Sequence, residues 1–193
     1  TSPDYQYFHS NRFSKHHLLP VGEFVPFEDW LRPLAPLFDL PMSSFSRGDY
    51  QQANLEANGI HLAPAICFEI AFPHQVMANV YEDTDMIITV SNDAWFGHSH
   101  GPAQHLQIAQ MRALELGRPV VRATNNGITA FIDHKGEVTA RLPQFMAGNI
   151  SAPVVATRGF TPYYHLQELG VWLLTLFLLA SAITLKRADI NRN

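Results

Sequence analysis

The chain has 193 residues, 47% of them hydrophobic and 16% charged, which is enough for one domain with an apolar core. Its 13 basic and 17 acidic residues give a formal net charge of -4. No cluster of Lys and Arg is dense enough to hold phosphates, which argues against nucleic-acid binding. The single cysteine, Cys67, excludes an internal disulfide and is either a buried apolar side chain or a reactive thiol.

The chain starts with Thr1-Ser2-Pro3-Asp4, without an initiator Met, a basic stretch or an apolar signal segment. We therefore expect a fragment of a longer protein. Residues that complete a catalytic site, and further membrane spans, can then lie upstream of the first residue.

The first clear elements are a strand over residues 61–67 and a helical run that follows it to about residue 81. Residues 86–91 form a second apolar strand, which ends in the polar turn of residues 92–97. Short strands that alternate with helices are typical of a layered α/β domain.

A helix is predicted over residues 102–116, because Pro102 stands at its first position and Gly117 follows its end. Its apolar residues recur on one face, which carries Leu106, Ala109, Ala113 and Leu116. Three further strands follow, and the last two form a hairpin: residues 119–124, 128–132 and 137–142.

Residues 169–185 are uncharged and mostly apolar, which meets the lower length limit for a helix that crosses a bilayer. Tyr163, Tyr164 and Trp172 are typical of a membrane interface. The basic residues after the helix place the C-terminus in the cytoplasm and the preceding domain outside it, in a bacterium in the periplasm. We therefore predict a periplasmic domain, a transmembrane helix and a cytoplasmic tail: residues 1–162, 163–187 and 188–193.

Cys67 lies where a predicted strand gives way to a helix. Such a turn exposes the thiol, and the N-terminus of the helix favours its nucleophilic thiolate form. The same turn offers the backbone N–H of Phe68 to a developing oxyanion. This geometry leaves a nucleophile and a buried structural cysteine about equally open.

Lys15 and Glu23 lie in an otherwise apolar segment, residues 13–24, that contains Pro and Gly. A lone lysine is usually a solvated surface charge. If these two side chains pair near the thiol, the ammonium can stabilise the thiolate and the oxyanion, while the carboxylate keeps the ammonium charged and oriented.

Three segments resemble, in order, the active-site segments of the nitrilase superfamily: residues 15–23 (KHHLLPVGE), 65–69 (AICFE) and 91–97 (SNDAWFG). Within that superfamily the chain most resembles the apolipoprotein N-acyltransferases. The likeness continues to the C-terminal apolar helix through four linking segments, residues 31–36, 41–48, 111–116 and 124–129.

The resemblance implies part of an α-β-β-α sandwich with a Glu-Lys-Cys triad, of which Lys15 and Cys67 are present. In the family the general-base glutamate lies upstream of the lysine segment, and Glu23 matches a second, supporting catalytic glutamate. Phe68 stands where a tyrosine is expected beside the cysteine. Glu69 and Trp95 match positions linked to the active site and its lipid substrate, so we group them with Phe68 as substrate-binding residues.

The resemblance also implies a multi-pass enzyme of the bacterial inner membrane that uses no metal and no organic cofactor. Its thiolate takes an acyl chain from the sn-1 ester of a phospholipid as a thioester. The α-amine of a diacylglyceryl-cysteine apolipoprotein then accepts that chain.

Two alternatives remain open, and a third is set aside. A membrane-tethered nitrilase-type amidase would use the same triad with water as the acceptor, and would release ammonia or free fatty acid. A metal-binding periplasmic module is suggested by His98, His100 and His105, although structural zinc sites usually pair histidines with Cys or carboxylates. A serine nucleophile in residues 43–46 lacks the G-x-S-x-G elbow.

Overall fold

The computed structural model describes residues 10–20, 22–24 and 45–190, and the chain divides into two compact units, Thr1–Gly159 and Phe160–Asn193. Two of the segments that carry the resemblance are affected. Residues 31–36, and residues 41–44 of the segment 41–48, lie outside the described residues.

The described part of the larger unit contains a mixed sheet of six strands, which lie side by side in chain order. The strands are β1 Leu55–Ala57, β2 Ile60–Ile66, β3 Met86–Asn92, β4 Val120–Asn125, β5 Thr129–Ile132 and β6 Val138–Leu142. The three central strands, β2, β3 and β4, are parallel, and the other neighbours are antiparallel. A mixed sheet of this kind confirms the predicted α/β class.

Helices connect the parallel strands, since a parallel pair needs a crossover. α1, Pro73–Ala78, lies between β2 and β3, and α2, Gly101–Leu116, lies between β3 and β4. α2 ends at Gly117, whose φ of +61° suits a residue without a side chain. The predicted helix 102–116 is confirmed to within one residue.

The core of this unit lies between α2 and the sheet, because α2 packs on β4 and β5. The predicted apolar face of the helix is buried at all four positions: Leu106, Ala109, Ala113 and Leu116. The buried residues of the strands include Ala63, Ala65, Ile87, Val120, Ala130 and Ile132. The predicted hairpin of the last two strands is also present, as β5 and β6.

The carboxyl ends of the three parallel strands lie at the same edge of the sheet. The residues that follow these strands therefore lie at this edge. Cys67 follows β2 and Asp93 follows β3, while Asn126 follows β4. Ile66, the last residue of β2, is paired with Val90 of β3, two residues before that strand ends. Ligands of open α/β sheets bind outside the carboxyl ends of parallel strands, so a functional site is expected at this edge.

The structure adds a strand, β1, that the sequence pattern did not predict. It pairs antiparallel with β2 across the tight turn of Asn58 and Gly59, whose φ angles are +52° and +76°. A two-residue hairpin turn of type I′ requires positive φ at both positions, and Asn-Gly is the sequence that adopts it most readily.

The smaller unit contains two helices, α3 Pro162–Leu166 and α4 Leu169–Ile190. Gln167, with a φ of +46°, separates them, so the predicted segment 163–187 is not one continuous helix. Residues Leu169–Lys186 have a mean hydropathy of 1.9, and none of them is buried. At 1.5 Å per residue α4 is about 33 Å long, which matches the roughly 30 Å hydrocarbon core of a bilayer. The predicted C-terminal helix is therefore present, and it is long and apolar enough to cross a membrane.

Candidate active site

Cys67 is the first residue of a short 3-10 helix, Cys67–Ala71, that follows β2 directly, and it is half-buried. The sequence predicted this junction, although the helix is a 3-10 turn and α1 begins only at Pro73. The φ of Cys67 is +55°, a left-handed conformation that costs a non-glycine residue of the order of 1–3 kcal/mol. Such strain persists only where the surroundings hold the residue in place.

Glu69 links the cysteine turn to the lysine segment. Its side chain is 1% exposed. Oε2 accepts a hydrogen bond from the Ile66 N–H at 2.8 Å, and Oε1 accepts from the N–H groups of His16 and His17 at 2.6 and 3.1 Å. Nε2 of Gln75 also donates to Oε1, at 3.0 Å. Because both oxygens are occupied and buried, Glu69 fits a positioning role better than the substrate-binding role that the resemblance implies.

Lys15 and Glu23 form a two-pronged ion pair. The Lys15 Nζ lies 2.7 and 2.6 Å from the two carboxylate oxygens of Glu23, and the side chains are 10% and 29% exposed. Oε2 of Glu23 also accepts a hydrogen bond from the Leu19 N–H at 2.8 Å, which closes the loop between the two residues. Such a partner fixes the orientation of the lysine side chain.

Gly48 holds the lysine segment from the other side. Its N–H donates to the Lys15 carbonyl at 2.9 Å, and its own carbonyl lies 2.8 Å from Nδ1 of His16. A side chain at Gly48 would collide with the backbone of Ser14, so the close approach depends on glycine.

Two neighbouring cavities meet at Cys67. One has a volume of about 360 Å³ and a largely apolar lining that includes Phe68, Trp95 and Phe96. The other has a volume of about 450 Å³ and is lined in part by Glu23. Trp95 lines both and is 74% exposed. The cysteine turn, the partner of the lysine and two of the three predicted substrate-binding residues therefore surround one space.

A buried polar cluster adjoins the backbone of Cys67. Asp93 accepts hydrogen bonds from Oγ of Ser91 and from Nη2 of Arg122, both at 2.6 Å. Its Oδ1 lies 3.0 Å from Nδ1 of His105, whose Nε2 lies 3.2 Å from the carbonyl oxygen of Cys67. The cluster thus joins the end of β3, the strand β4 and the helix α2 to the cysteine turn.

Charges within this cluster determine the ionisation of Asp93. Burial raises the pKa of Asp93, but hydrogen bonds from His105 and Ser91 and the charge of Arg122 outweigh burial, so the pKa lies below its usual value. Burial lowers the pKa of Arg122, an effect that the negative charges of Asp93 and Cys67 oppose. Asp93 is therefore ionised at neutral pH.

The sequence did not predict the parts that Asp93, His105 and Arg122 play in this cluster. The segment 91–97 was recognised as a block, and His105 was considered only as a metal ligand. Arg122 could have pointed to the cluster, because it lies in a predicted strand and an arginine is almost never fully buried unless it is paired. The collision of a side chain at Gly127 with the carboxylate of Asp93 is visible only in the structure.

The histidines give no support to a metal site. Both ring nitrogens of His105 face acceptors of the protein, and the ring of His98 packs against Phe145 with 4.5 Å between the centroids. Among the residues that the structure describes, no group of three or more His, Cys, Asp and Glu side chains is arranged to hold a metal ion.

Comparison with known proteins agrees with this geometry. The sequence pattern of the carbon-nitrogen hydrolase family matches residues 3–162. The chain belongs to the carbon-nitrogen hydrolase family. The match covers the lysine segment, the cysteine turn and the Asp93 cluster, and it confirms the nitrilase-like fold that the three sequence segments implied.

Similar members of the carbon-nitrogen hydrolase family carry the name apolipoprotein N-acyltransferase, which confirms the narrower resemblance. The protein of Photobacterium profundum is 57% identical over 188 residues, which cover 97% of this chain and 36% of that protein. The protein of Vibrio parahaemolyticus is 59% identical over 169 residues, which cover 88% of this chain and 33% of that protein. The chain therefore spans about a third of the length of these curated relatives.

Among solved structures, an amidase of Nesterenkonia sp. AN1 is similar with a TM-score of 0.47 and 16% identity. The similarity covers 86% of this chain and 57% of that chain.

Proposed function

We propose that this chain is the cysteine-bearing part of an enzyme that transfers a fatty acyl chain from a phospholipid to the N-terminal amine of a diacylglyceryl-cysteine apolipoprotein. The observation that carries the proposal is the setting of Cys67, a strained cysteine at a strand-to-helix turn that opens onto an apolar cavity. Relatives that are 57% and 59% identical are named apolipoprotein N-acyltransferase.

The apolar cavity favours a fatty acyl donor over a small amide. Its volume is about 360 Å³, and Phe68, Trp95 and Phe96 lie along it beside the thiol. Burial of each CH₂ group contributes about 0.8 kcal/mol, so a long acyl chain gains most from such a lining. We assign Phe68 and Trp95 to contact with this chain, and Glu69 to positioning.

In the first half-reaction the Cys67 thiolate attacks the carbonyl carbon of the sn-1 ester. A C–S bond forms and the carbonyl electron pair moves onto oxygen, where the Phe68 N–H and the Lys15 ammonium stabilise the oxyanion. The carbonyl then re-forms, the C–O bond to glycerol breaks, and the glycerol oxygen takes a proton from the general acid. The products are a lysophospholipid and the acyl thioester of Cys67.

In the second half-reaction the α-amine of the apolipoprotein attacks the thioester. A general base takes the amine proton, an amide forms, and Cys67 leaves as the thiolate. We place this acid and base on a glutamate of the intact enzyme outside these 193 residues, as the resemblance implies. Glu23 then acts as a supporting residue that holds Lys15, and neither half-reaction requires a metal or an organic cofactor.

We propose that α4 crosses the bacterial inner membrane and that the larger unit works on the periplasmic side. The apolar window Leu169–Lys186 supports the first point, and the basic residues Lys186, Arg187 and Arg192 at its C-terminal end support the second. Such an anchor keeps the site near a phospholipid donor. By the same resemblance, the intact enzyme has further spans.

A transfer assay tests this function. The intact enzyme in detergent is incubated with phosphatidylethanolamine and a synthetic diacylglyceryl lipopeptide, and the products are identified by mass spectrometry. We expect N-acylated lipopeptide and lysophospholipid in equal amounts, and neither product from Cys67→Ala. The control Ser46→Ala, at an exposed serine, retains activity.

Two results would overturn the proposal. Release of fatty acid without N-acylated lipopeptide would identify a hydrolase of the lipid ester, and release of ammonia from an amide substrate would identify an amidase.

A further inference from the structure

We propose that His105 is a positioning residue for the nucleophile, and that it is a doubly protonated imidazolium that donates one hydrogen bond to Asp93 and one to the carbonyl oxygen of Cys67. The inference rests on the proposed function insofar as Cys67 is the nucleophile. It concerns a residue that the Glu-Lys-Cys triad does not include.

The first argument is the hydrogen-bonding capacity of the ring. Nδ1 lies 3.0 Å from a carboxylate oxygen of Asp93, and Nε2 lies 3.2 Å from the Cys67 carbonyl oxygen. Both neighbours are acceptors. A neutral imidazole has one N–H and one lone pair, so either neutral tautomer would direct a lone pair at an acceptor, and only the imidazolium donates at both nitrogens.

The second argument is the charge around the ring. The charged groups there are Asp93 after β3 and Arg122 on β4. The pKa of Asp93 lies below its usual value, because its hydrogen bonds and the charge of Arg122 outweigh the effect of burial, so the carboxylate is available as an acceptor. Asp93 with two cationic partners has a net charge of plus one. In the proposed mechanism the thiolate of Cys67 balances this charge.

The third argument connects His105 to the oxyanion. The Cys67 carbonyl and the Phe68 N–H belong to the same peptide group, which is planar. A hydrogen bond that fixes the carbonyl therefore fixes the direction of the N–H that we assign to the oxyanion. It also holds Cys67 at its φ of +55°, a conformation that its surroundings must maintain.

The first test is spectroscopic and uses the wild-type protein. The intact enzyme is labelled with ¹⁵N-histidine in detergent, and the His105 signals are assigned by their loss in His105→Gln. We expect a proton on both ring nitrogens at neutral pH. A ring nitrogen without a proton would overturn the inference whatever the variants do.

The second test is kinetic. In His105→Gln the amide can still donate to the Cys67 carbonyl, but its oxygen faces the carboxylate of Asp93. We expect single-turnover acylation of Cys67 to slow by about 10- to 100-fold, as for a misplaced catalytic group, with an unchanged KM for the phospholipid.

The matched control is His100→Gln, at an exposed histidine that precedes the first residue of α2, which acylates at the wild-type rate. Acylation of His105→Gln at the wild-type rate would overturn the positioning role. If the wild type itself is never acylated, the proposed function is wrong, and the ring-nitrogen signals alone then decide the protonation of His105.

Discussion

The carboxylate of Asp93 lies 2.6 Å from Nη2 of Arg122, and neither side chain has any exposed surface. The pair bridges the end of β3 and the middle of β4, next to the cysteine turn. Removal of one partner from such a buried pair leaves the other charge uncompensated.

Arg122→Met therefore destabilises the protein strongly. We expect the free energy of unfolding to fall by about 3–5 kcal/mol, the usual effect of breaking a buried ion pair. Chemical denaturation of the intact enzyme in detergent, followed by tryptophan fluorescence, measures the change. Arg141→Met, at an exposed position on β6, is the matched control and changes stability by less than about 0.5 kcal/mol. Equal effects of the two substitutions would show that the ion pair contributes nothing.

The stability of the protein falls on acidification, and Asp93 accounts for part of this fall. Because its pKa is lower in the folded state than in the unfolded chain, its contribution is complete above the unfolded value near pH 4 and is lost as the pH falls through the folded pKa. Asp85 contributes to the fall in stability over the same pH range. The hydrogen bond from the His61 N–H and the interactions with Arg158 outweigh the effect of burial and lower the pKa of Asp85. We expect Asp93→Asn to flatten the stability curve below about pH 4, but not completely. A curve with the wild-type slope would contradict the assignment.

The Glu69→Gln variant distinguishes a positioning role of Glu69 from a substrate-binding role. The substituted amide has one oxygen for four donors, so at least one N–H of Ile66, His16 or His17 loses its acceptor. We expect a loss of stability of about 1–3 kcal/mol, the penalty of a buried unsatisfied group, with a lower kcat. The KM for the phospholipid should not change. A raised KM at normal stability would support the substrate-binding role instead. Glu56→Gln, with an exposed side chain, is the control.

Lys15→Ala removes the cation that we assign to the oxyanion. We expect the rate of Cys67 acylation to fall by about 10²-fold or more, as for other lost oxyanion donors. Glu23→Gln keeps the ammonium and loses only its charged partner, so its effect should be smaller. Rapid-quench measurement of the acyl-enzyme compares the two, with Lys135→Ala at an exposed turn as the control. A larger effect of Glu23→Gln than of Lys15→Ala would reverse these roles.

Local patterns predicted most of the larger unit. Pro102 and Gly117 marked the ends of α2, and the spacing of Leu106, Ala109, Ala113 and Leu116 gave its buried face. β1 was missed because three residues are too few for a period-2 pattern, although Asn58-Gly59 carried the turn signal. Gln167 carried no signal of the break between α3 and α4, since glutamine is a good helix former.

The site was predictable only in part. Cys67, Lys15 and Glu23 could be named from their segments and from the family resemblance. His105 could not, because its partners Asp93 and Cys67 are 12 and 38 residues away and meet it only where α2 returns to the sheet edge. Contacts of this kind depend on the crossover of α2, which no local pattern specifies.

The central claim is that Cys67 carries the fatty acyl chain as a thioester, and the mass of the intact enzyme tests it most directly. After incubation with phosphatidylethanolamine and no acceptor, we predict a gain of one fatty acyl group on the peptide that contains Cys67. Hydroxylamine or the acceptor lipopeptide should remove it. An enzyme that turns over while its Cys67 peptide never gains this mass would contradict the account.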